Sequence, residues 1–239
     1  MRSMNLAREQ HDAPLTPTSG SAEVAAFVEA ARKAPAPLGE RGRLIFALDA
    51  TMSRQPTWDL AQSLQARMFQ VAAGHGGLAV QLVYFRGYNE CRASNFVSGG
   101  QGLADFMAKI SVRGGATQIG KVLHHAGEEA RRAKVGVLVF VGDAMEESVD
   151  AVLAKAGELA ICGVKAFMFQ EGDDPHAAHA FREIARLTGG AYGAFDAAAP
   201  HRLEALLRAA AAYAAGGIAA LEAQAKTEGA AQLLLRQMR

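Results

Sequence analysis

From residue 40 onward, short apolar runs alternate with longer stretches in which apolar residues recur every three or four positions. Short apolar runs between turn-forming residues indicate strands that are buried on both faces, and the longer periodic stretches indicate helices. The predicted strands of this kind cover residues 43–49, 78–85, 135–141, 164–169 and 191–195. The predicted helices cover residues 57–73, 103–110, 117–133, 149–161, 175–187 and 203–215.

This alternation predicts an α/β fold of the doubly wound, Rossmann-like kind. Strands joined by helical crossovers form a mostly parallel central sheet with helices on both faces. One stretch differs, because residues 90–97 are more polar and follow a turn at Gly87. We expect this stretch to be a single edge strand that pairs antiparallel with strand 78–85. In such sheets ligands bind beyond the carboxyl ends of the strands, so the residues after each strand are the candidates for function.

The chain divides into three parts by composition. Residues 1–39 form a polar N-terminal tail rich in turn formers, with one short Ala-rich helix predicted over 21–33. Residues 40–216 carry the α/β domain, and residues 217–239 form a C-terminal helical tail. With 239 residues in all, one substantial domain is expected.

Composition and charge favour a globular domain and argue against several classes of partner. Half of the residues are hydrophobic, and 25 Lys and Arg against 24 Asp and Glu leave a net charge of +1. A charge so near zero gives no reason to expect nucleic acid as a partner. No uninterrupted apolar run is long enough to predict a membrane span, and the N-terminus lacks the apolar core of a signal peptide. Two widely separated cysteines favour a reducing, cytoplasmic location, and the Ala and Gly content is consistent with a bacterial source.

Oxygen-bearing side chains stand where function is expected, directly after two predicted strands and at the start of a predicted helix. These residues are Asp49, Thr51, Ser53, Thr117 and Asp143. The first three occupy alternate positions behind the first strand, a spacing that can turn three oxygens toward one point. Oxygen ligands without nitrogen or sulfur describe a site for a hard cation, with Mg²⁺ or Mn²⁺ favoured and water completing an octahedron.

The order of these residues resembles the metal-ion-dependent adhesion site of the von Willebrand factor A (VWA) family. That site has an Asp-x-Ser-x-Ser pattern, then a later Thr and a later Asp, and the resemblance extends over roughly residues 40–215. Three positions depart from the family pattern. Thr51 replaces the usual Ser, one Ala separates a glycine pair from Thr117, and Gly142-Asp143-Ala144 replaces the commoner Thr-Asp-Gly. Thr51 retains the hydroxyl that the pattern requires.

The resemblance implies a metal-ion-dependent protein-binding module rather than an enzyme. It implies that hydroxyls such as those of Thr51 and Ser53 contact the ion directly, while Asp49 and Asp143 act partly through water. The ion, Mg²⁺ or Mn²⁺, keeps one position open for an Asp or Glu carboxylate of a protein partner. Taken singly, each of these residues is also an ordinary helix cap or loop residue. The departures leave an alternative open, a scaffold of the same fold with a degenerate, non-binding metal site.

A further alternative, a nucleotide-binding enzyme, comes from residues 115–121, which nearly satisfy the phosphate-loop pattern G-x-x-x-x-G-K-[ST]. Val122 stands where that pattern requires a metal-binding hydroxyl, and no good strand is predicted directly before the loop. The pairs His124-His125 and His176/His179 lack a third ligand in a recognisable pattern and are interpreted as helix-face residues. No nucleophile motif of a hydrolase is present, so catalysis is the less favoured class.

Overall fold

The computed structural model describes residues 42–51, 59, 77–98, 100–196 and 199–238, all within one compact unit that covers residues 35–239. The predicted helix over 21–33, the predicted helix over 57–73 apart from residue 59, and the candidate ligand Ser53 lie outside the described residues. Strands and helices are numbered below in chain order among the described residues.

Seven strands form one sheet. They are β1 (Gly42–Asp49), β2 (Leu78–Arg86), β3 (Glu90–Ala93), β4 (Val97–Ser98), β5 (Val137–Gly142), β6 (Lys165–Glu171) and β7 (Ala191–Phe195). Their order is β3-β2-β1-β5-β6-β7, and β4 also pairs with β2. All neighbouring strands are parallel except β3 and β4, which pair antiparallel with β2. The predicted mostly parallel sheet with antiparallel pairing at one edge is confirmed.

Helices pack on both faces of this sheet. They are α1 (Gly100–Met107), α2 (Ile119–Arg132), α3 (Val149–Ile161), α4 (Pro175–Thr188), α5 (Pro200–Ala225) and α6 (Gly229–Gln237). Alternate residues of a strand point to opposite faces, so each face has its own core. Leu44 and Phe46 of β1 are buried with residues of α1, α5 and α6, whereas Ile45 and Ala47 are buried with residues of α2, α3 and α4.

The predicted edge strand over 90–97 is divided in two by a bulge. Leu82 lies opposite Ser94, whose N–H donates to Leu82 O at 2.8 Å, and Val80 lies opposite Val97. Two steps along β2 therefore match three steps along the edge, which is the definition of a bulge. The Ser94 hydroxyl replaces the missing ladder acceptor, since it accepts from the Leu82 N–H at 3.0 Å. This local hydrogen bond explains why one predicted strand becomes β3 and β4.

The residues after Gly217, predicted as a helical tail, are helical and pack on the same core as the residues before it. Gly217 interrupts α5 with a φ of 66°, in the left-handed region where glycine is favoured. Leu221 and Leu234 beyond it are fully buried in the core cluster that contains α5. At the end of α6, the Gln237 side-chain amide accepts from the Tyr192 N–H and donates to Tyr192 O, both at 2.9 Å. The outer edge of β7 is thereby covered at Tyr192.

Among the described residues, one helix, α5, has the length and composition of a membrane-crossing segment. Half of its most apolar stretch is buried inside the protein. Its small residues, including Ala209 and Ala210, are completely buried in the core. Core packing therefore accounts for the apolar character of the buried half of α5.

Candidate functional site

The carboxyl ends of β1 and β5 bring two of the predicted ligands to the same end of the sheet. These strands are parallel neighbours in which Leu48 pairs with Val141. Asp49 is the first residue after Leu48, and Asp143 is the second residue after Val141. Asp49 is only 3% exposed, whereas Asp143 is half-buried. The segments 49–51, 111–118 and 143–148 are referred to below as the strand-end edge.

Hydrogen bonds hold the segment after β1 in a tight turn. The Thr51 N–H donates to Asp49 Oδ1 at 2.8 Å, which is the geometry of an Asx turn. The Ala50 N–H donates to Phe85 O at 2.9 Å, and the Arg113 N–H donates to Ala50 O at 3.0 Å. The bond from Arg113 to Ala50 fixes the loop before α2 against the end of β1.

Thr117 is tied to the loop after β5 by a reciprocal pair of hydrogen bonds. The Thr117 N–H donates to Glu146 Oε2 at 3.0 Å, and the Glu146 N–H donates to Thr117 Oγ1 at 3.0 Å. Thr117 is 7% exposed. Because Asp143 belongs to the same loop as Glu146, the pair holds Thr117 against the segment that carries Asp143. The Thr117 hydroxyl oxygen has two lone pairs, so one remains for another donor or a cation.

The turn between β2 and β3 also supports the loop that carries Thr117. Gly87 adopts a φ of 60°, and its carbonyl oxygen accepts from the Ala116 N–H at 3.1 Å and from Gln118 Nε2 at 3.2 Å. Gly115 lies so close to this turn that a Cβ there would be 2.1 Å from Gly87 O. The close approach requires glycine at position 115, and this explains one member of the glycine pair before Thr117.

Glu147 occupies the N-terminus of α2, where the phosphate-loop alternative would place a phosphate. Its carboxylate accepts hydrogen bonds from the Ile119 N–H and, at 2.9 Å, from the Gly120 N–H. Lys121 Nζ, the phosphate-binding cation of that alternative, donates to Asn89 Oδ1. The amide donors that would cradle a phosphate already have a carboxylate acceptor, which disfavours the nucleotide-binding interpretation.

Replacing Glu147 by alanine is expected to lower the free energy of unfolding by about 1–2 kcal/mol, because two amides at the start of α2 lose their acceptor. Urea denaturation followed by circular dichroism measures this loss. The control is Glu158→Ala, which removes an exposed carboxylate that pairs with Lys155 at 2.9 Å within α3. We expect the control to leave the denaturation midpoint nearly unchanged. Equal losses in the two variants would show that Glu147 does not cap α2.

One departure from the VWA pattern has a packing reason. A Cβ at position 142 would lie 2.7 Å from Cε1 of Phe140. The Phe140 ring also stacks with Phe85 at a centroid distance of 6.2 Å and meets Phe181 edge-on at 5.3 Å. Gly142, the residue directly before Asp143, therefore leaves room for the large buried ring of Phe140.

The structure brings four of the predicted ligands to the strand-end edge, and the fifth, Ser53, lies outside the described residues. The four are Asp49, Thr51, Thr117 and Asp143. In the part of the chain that the structure describes, no group of three or more His, Cys, Asp or Glu is placed to hold a metal ion. The donor set of the predicted site is two carboxylates with hydroxyls, and metal binding there stays a prediction.

Glu146 and Glu147 are site residues that the sequence did not single out. Glu146 positions Thr117, and Glu147 caps α2. Both belong to the loop that follows β5, three and four residues beyond Asp143. The strand-end rule that selected Asp143 applies to the whole loop, so two adjacent carboxylates there were a usable signal.

The two histidine pairs of the sequence analysis, His124-His125 and His176/His179, lie on helices α2 and α4, as predicted. His125 of α2 is half-buried, with Nε2 at 2.9 Å from Gln81 Oε1. Burial lowers the pKa of His125 below its ordinary value, so the neutral form predominates at neutral pH. His176 and His179 of α4 are exposed.

Comparison with known proteins shows which solved structures have a similar fold. No family model matches the chain, and no curated protein matches it. A von Willebrand factor type A protein from Catenulispora acidiphila has a TM-score of 0.56 at 16% identity, covering 72% of this chain and 43% of that one. The SpRpn10 VWA domain has a TM-score of 0.55 at 11% identity, covering 69% of this chain and 95% of that one. The pilus adhesin SpaC from Lactobacillus rhamnosus GG has a TM-score of 0.57 at 12% identity, covering 73% and 30%.

The sheet order, the helices on both faces and these likenesses define the class of the protein, an α/β domain with the VWA fold. The chain spans 43% of the Catenulispora protein and 30% of the adhesin, so it matches one part of each. At these identities the comparison establishes the fold, and function has to be argued from the strand-end edge itself.

Proposed function

We propose that this chain is a metal-ion-dependent protein-binding module whose strand-end edge captures an acidic residue of a partner. The observation that supports the proposal is the position of several oxygen donors at one end of the sheet. Asp49, Thr51 and Thr117, none more than 9% exposed, lie at the same end of the sheet as Asp143. Burial of a carboxylate is costly unless hydrogen bonds or a cation compensate it.

The chemistry of these side chains fits Mg²⁺ or Mn²⁺, because every proposed ligand atom is oxygen. In the proposed site Thr51, Ser53 and Thr117 supply neutral hydroxyls, and Asp49 and Asp143 supply negative charge. Ser53 belongs to this set by its spacing alone, since it lies outside the described residues. A bound ion with mostly neutral ligands stays electrophilic and presents a position to an external carboxylate.

The remaining residues of the edge hold the donors in place. The Thr51 N–H fixes one oxygen of Asp49, Glu146 fixes Thr117, and Gly115 lets the loop approach the turn at Gly87. These contacts are made by the chain itself, so the donors that they hold, Asp49 and Thr117, need little ordering when a partner binds. A preorganised site loses less free energy to ordering on association.

A binding role accounts for the edge better than catalysis does. The phosphate-binding position at the start of α2 is filled by Glu147, and Lys121 donates to Asn89. One of the structural neighbours is a pilus adhesin, and adhesion is a binding function. We therefore propose that the chain is not an enzyme and that its partner is a protein.

One observation favours a second candidate, a scaffold of the same fold that binds its partner without an ion. Thr117 Oγ1 already accepts a hydrogen bond from the Glu146 N–H. A hydroxyl oxygen used in this way has one lone pair fewer for a cation. The two candidates differ in whether partner binding requires a divalent cation.

We expect capture of a partner to require Mg²⁺ or Mn²⁺ and to be reversed by EDTA. Thr117→Ala should then weaken the affinity for the isolated partner about tenfold to a hundredfold, since one charge-assisted interaction contributes roughly 1.5–3 kcal/mol. Isothermal titration of the partner measures this loss. The matched control is Thr227→Ala, which removes an exposed hydroxyl between α5 and α6. If EDTA and Thr117→Ala both leave the dissociation constant unchanged, the proposal of a metal-dependent site is contradicted and the ion-free scaffold is the better account of the function.

A further inference from the structure

The two outer strands of the sheet differ in how their edges are covered. At β7, both the N–H and the carbonyl of Tyr192 are bonded to the Gln237 side chain. The outer strand at the other side of the sheet is β3. An uncovered strand edge is a row of backbone donors and acceptors that another chain can pair with.

The backbone groups of β3 that face outward belong to Cys91 and Ala93. The bond from the Ser94 N–H to Leu82 O fixes which residues of this antiparallel ladder are hydrogen-bonded pairs, because such pairs alternate along the strands. Arg92 therefore bonds toward β2, and the N–H and carbonyl groups of Cys91 and Ala93 point away from it. Within the described part of the chain, no hydrogen bond reaches these outward groups.

A cavity of about 640 Å³ lies beside this edge, between β3 and α2. Its lining includes Cys91 and Ala93 of the strand and Lys121 and His124 of the helix. Burial raises the pKa of the Cys91 thiol to about 11, so at neutral pH the thiol is protonated and presents a small apolar surface. The edge thus has free backbone groups, small side chains and open space next to one another.

The charge around the cavity is predominantly positive. In the described structure, Lys121 Nζ donates to two neutral amide oxygens, those of Asn89 and Gln118. Arg92 at the rim shares a single carboxylate, that of Glu90, with Arg86. The carboxylate of the lining, Glu147, accepts from two backbone amides of α2. A ligand with negative charge complements this arrangement.

We propose that an extended acidic peptide segment of a partner protein binds along the outer edge of β3, beside this cavity, as an added strand. Its backbone pairs with the outward N–H and carbonyl groups of Cys91 and Ala93, and an acidic side chain lies toward Lys121. In strand addition the backbone bonds provide affinity, and the alternate side chains provide specificity. Glu147 belongs to both the strand-end edge and the cavity lining, but the backbone groups that pair belong to β3 and need no metal ion, so the inference does not depend on the proposed metal site.

The test is a selection of random peptides of about ten residues, a strand's length, on the full-length protein in EDTA. We expect enriched peptides to be rich in Asp and Glu. Ala93→Pro removes one outward N–H and should weaken an enriched peptide at least about tenfold, whereas Ala93→Ser keeps the N–H and should bind like the wild type. Lys121→Gln should weaken the same peptide by a smaller factor. Circular dichroism checks that each variant is folded.

Backbone hydrogen exchange by NMR on the wild-type protein gives a readout that does not depend on any variant. A bound strand should slow exchange of the Cys91 and Ala93 amides while leaving the Thr51 amide at the strand-end edge unchanged. The proposal is overturned if no peptide is enriched, if enriched peptides lack acidic residues, or if Ala93→Pro binds them as well as Ala93→Ser. It is also overturned if saturating peptide leaves exchange at Cys91 and Ala93 unchanged.

Discussion

Alanine at position 115 is expected to destabilise the protein, whereas alanine at position 114 is expected to be tolerated. A Cβ at position 115 would lie 2.1 Å from Gly87 O and 2.3 Å from Gly87 C, distances that non-bonded atoms do not reach. A Cβ at position 114 would have no atom within 4 Å. Neither Gly114 nor Gly115 has a positive φ, so alanine can adopt the backbone conformation found at both positions. The two variants therefore differ only in the close approach to Gly87.

Gly115→Ala should lower the free energy of unfolding by about 1–3 kcal/mol, since the loop or the turn at Gly87 must move to admit the methyl group. The same displacement pulls Thr117 away from Glu146 and should weaken partner binding as well. Gly114→Ala should be neutral or should stabilise by up to about 1 kcal/mol, because it restricts the unfolded chain. Urea denaturation of the two variants in parallel measures both effects. A Gly115→Ala variant as stable as Gly114→Ala would contradict the packing of this loop on the turn.

Phe140→Ala is expected to have a still larger effect on stability. Phe140 is 1% exposed and contacts the rings of both Phe85 and Phe181. Removing such a ring costs about 3–5 kcal/mol, through lost burial and the cavity that remains. That loss is a large part of the stability of an ordinary domain, so the variant should melt far below the wild type.

Calorimetric melting of Phe140→Ala and Phe140→Leu gives the size dependence of this effect. Leucine refills part of the space and should recover part of the lost stability. The control is Phe106→Ala, because Phe106 is 43% exposed and its removal leaves little cavity. If Phe106→Ala and Phe140→Ala were equally destabilising, the core on the α2 face of the sheet would be wrongly assigned.

The buried elements of the fold could be predicted from the sequence because their signal is local. The apolar run predicted over 135–141 is β5, and the helix predicted over 149–161 is α3 with the same bounds. The divided edge strand could not be predicted in the same way. Its bulge depends on the Ser94 hydroxyl replacing a ladder acceptor for Leu82, which is a contact between residues twelve positions apart.

The candidate site shows the same division between local and long-range information. Asp49 and Asp143 could be placed together from the sequence, because parallel neighbouring strands end at the same side of a sheet. The contact between Thr117 and Glu146 joins residues 29 positions apart, and that between Gly120 and Glu147 joins residues 27 positions apart. Neither contact leaves a periodic pattern in the sequence. The need for glycine at 115 likewise arises from a turn that is distant in the chain.

Melting temperature as a function of Mg²⁺ or Mn²⁺ concentration tests the central claim most directly, that a divalent cation binds at the strand-end edge. A cation that binds only the folded state adds about 2.7 kcal/mol of stability when its free concentration is a hundred times its dissociation constant. Asp49→Asn keeps the oxygen that accepts the Thr51 N–H but removes the charge, and Glu158→Gln, which removes an exposed charge of α3, is the control. We predict that the melting temperature of the wild type and of Glu158→Gln rises with metal, while that of Asp49→Asn does not. A wild-type melting temperature that is independent of metal, or an undiminished rise in Asp49→Asn, would contradict the account.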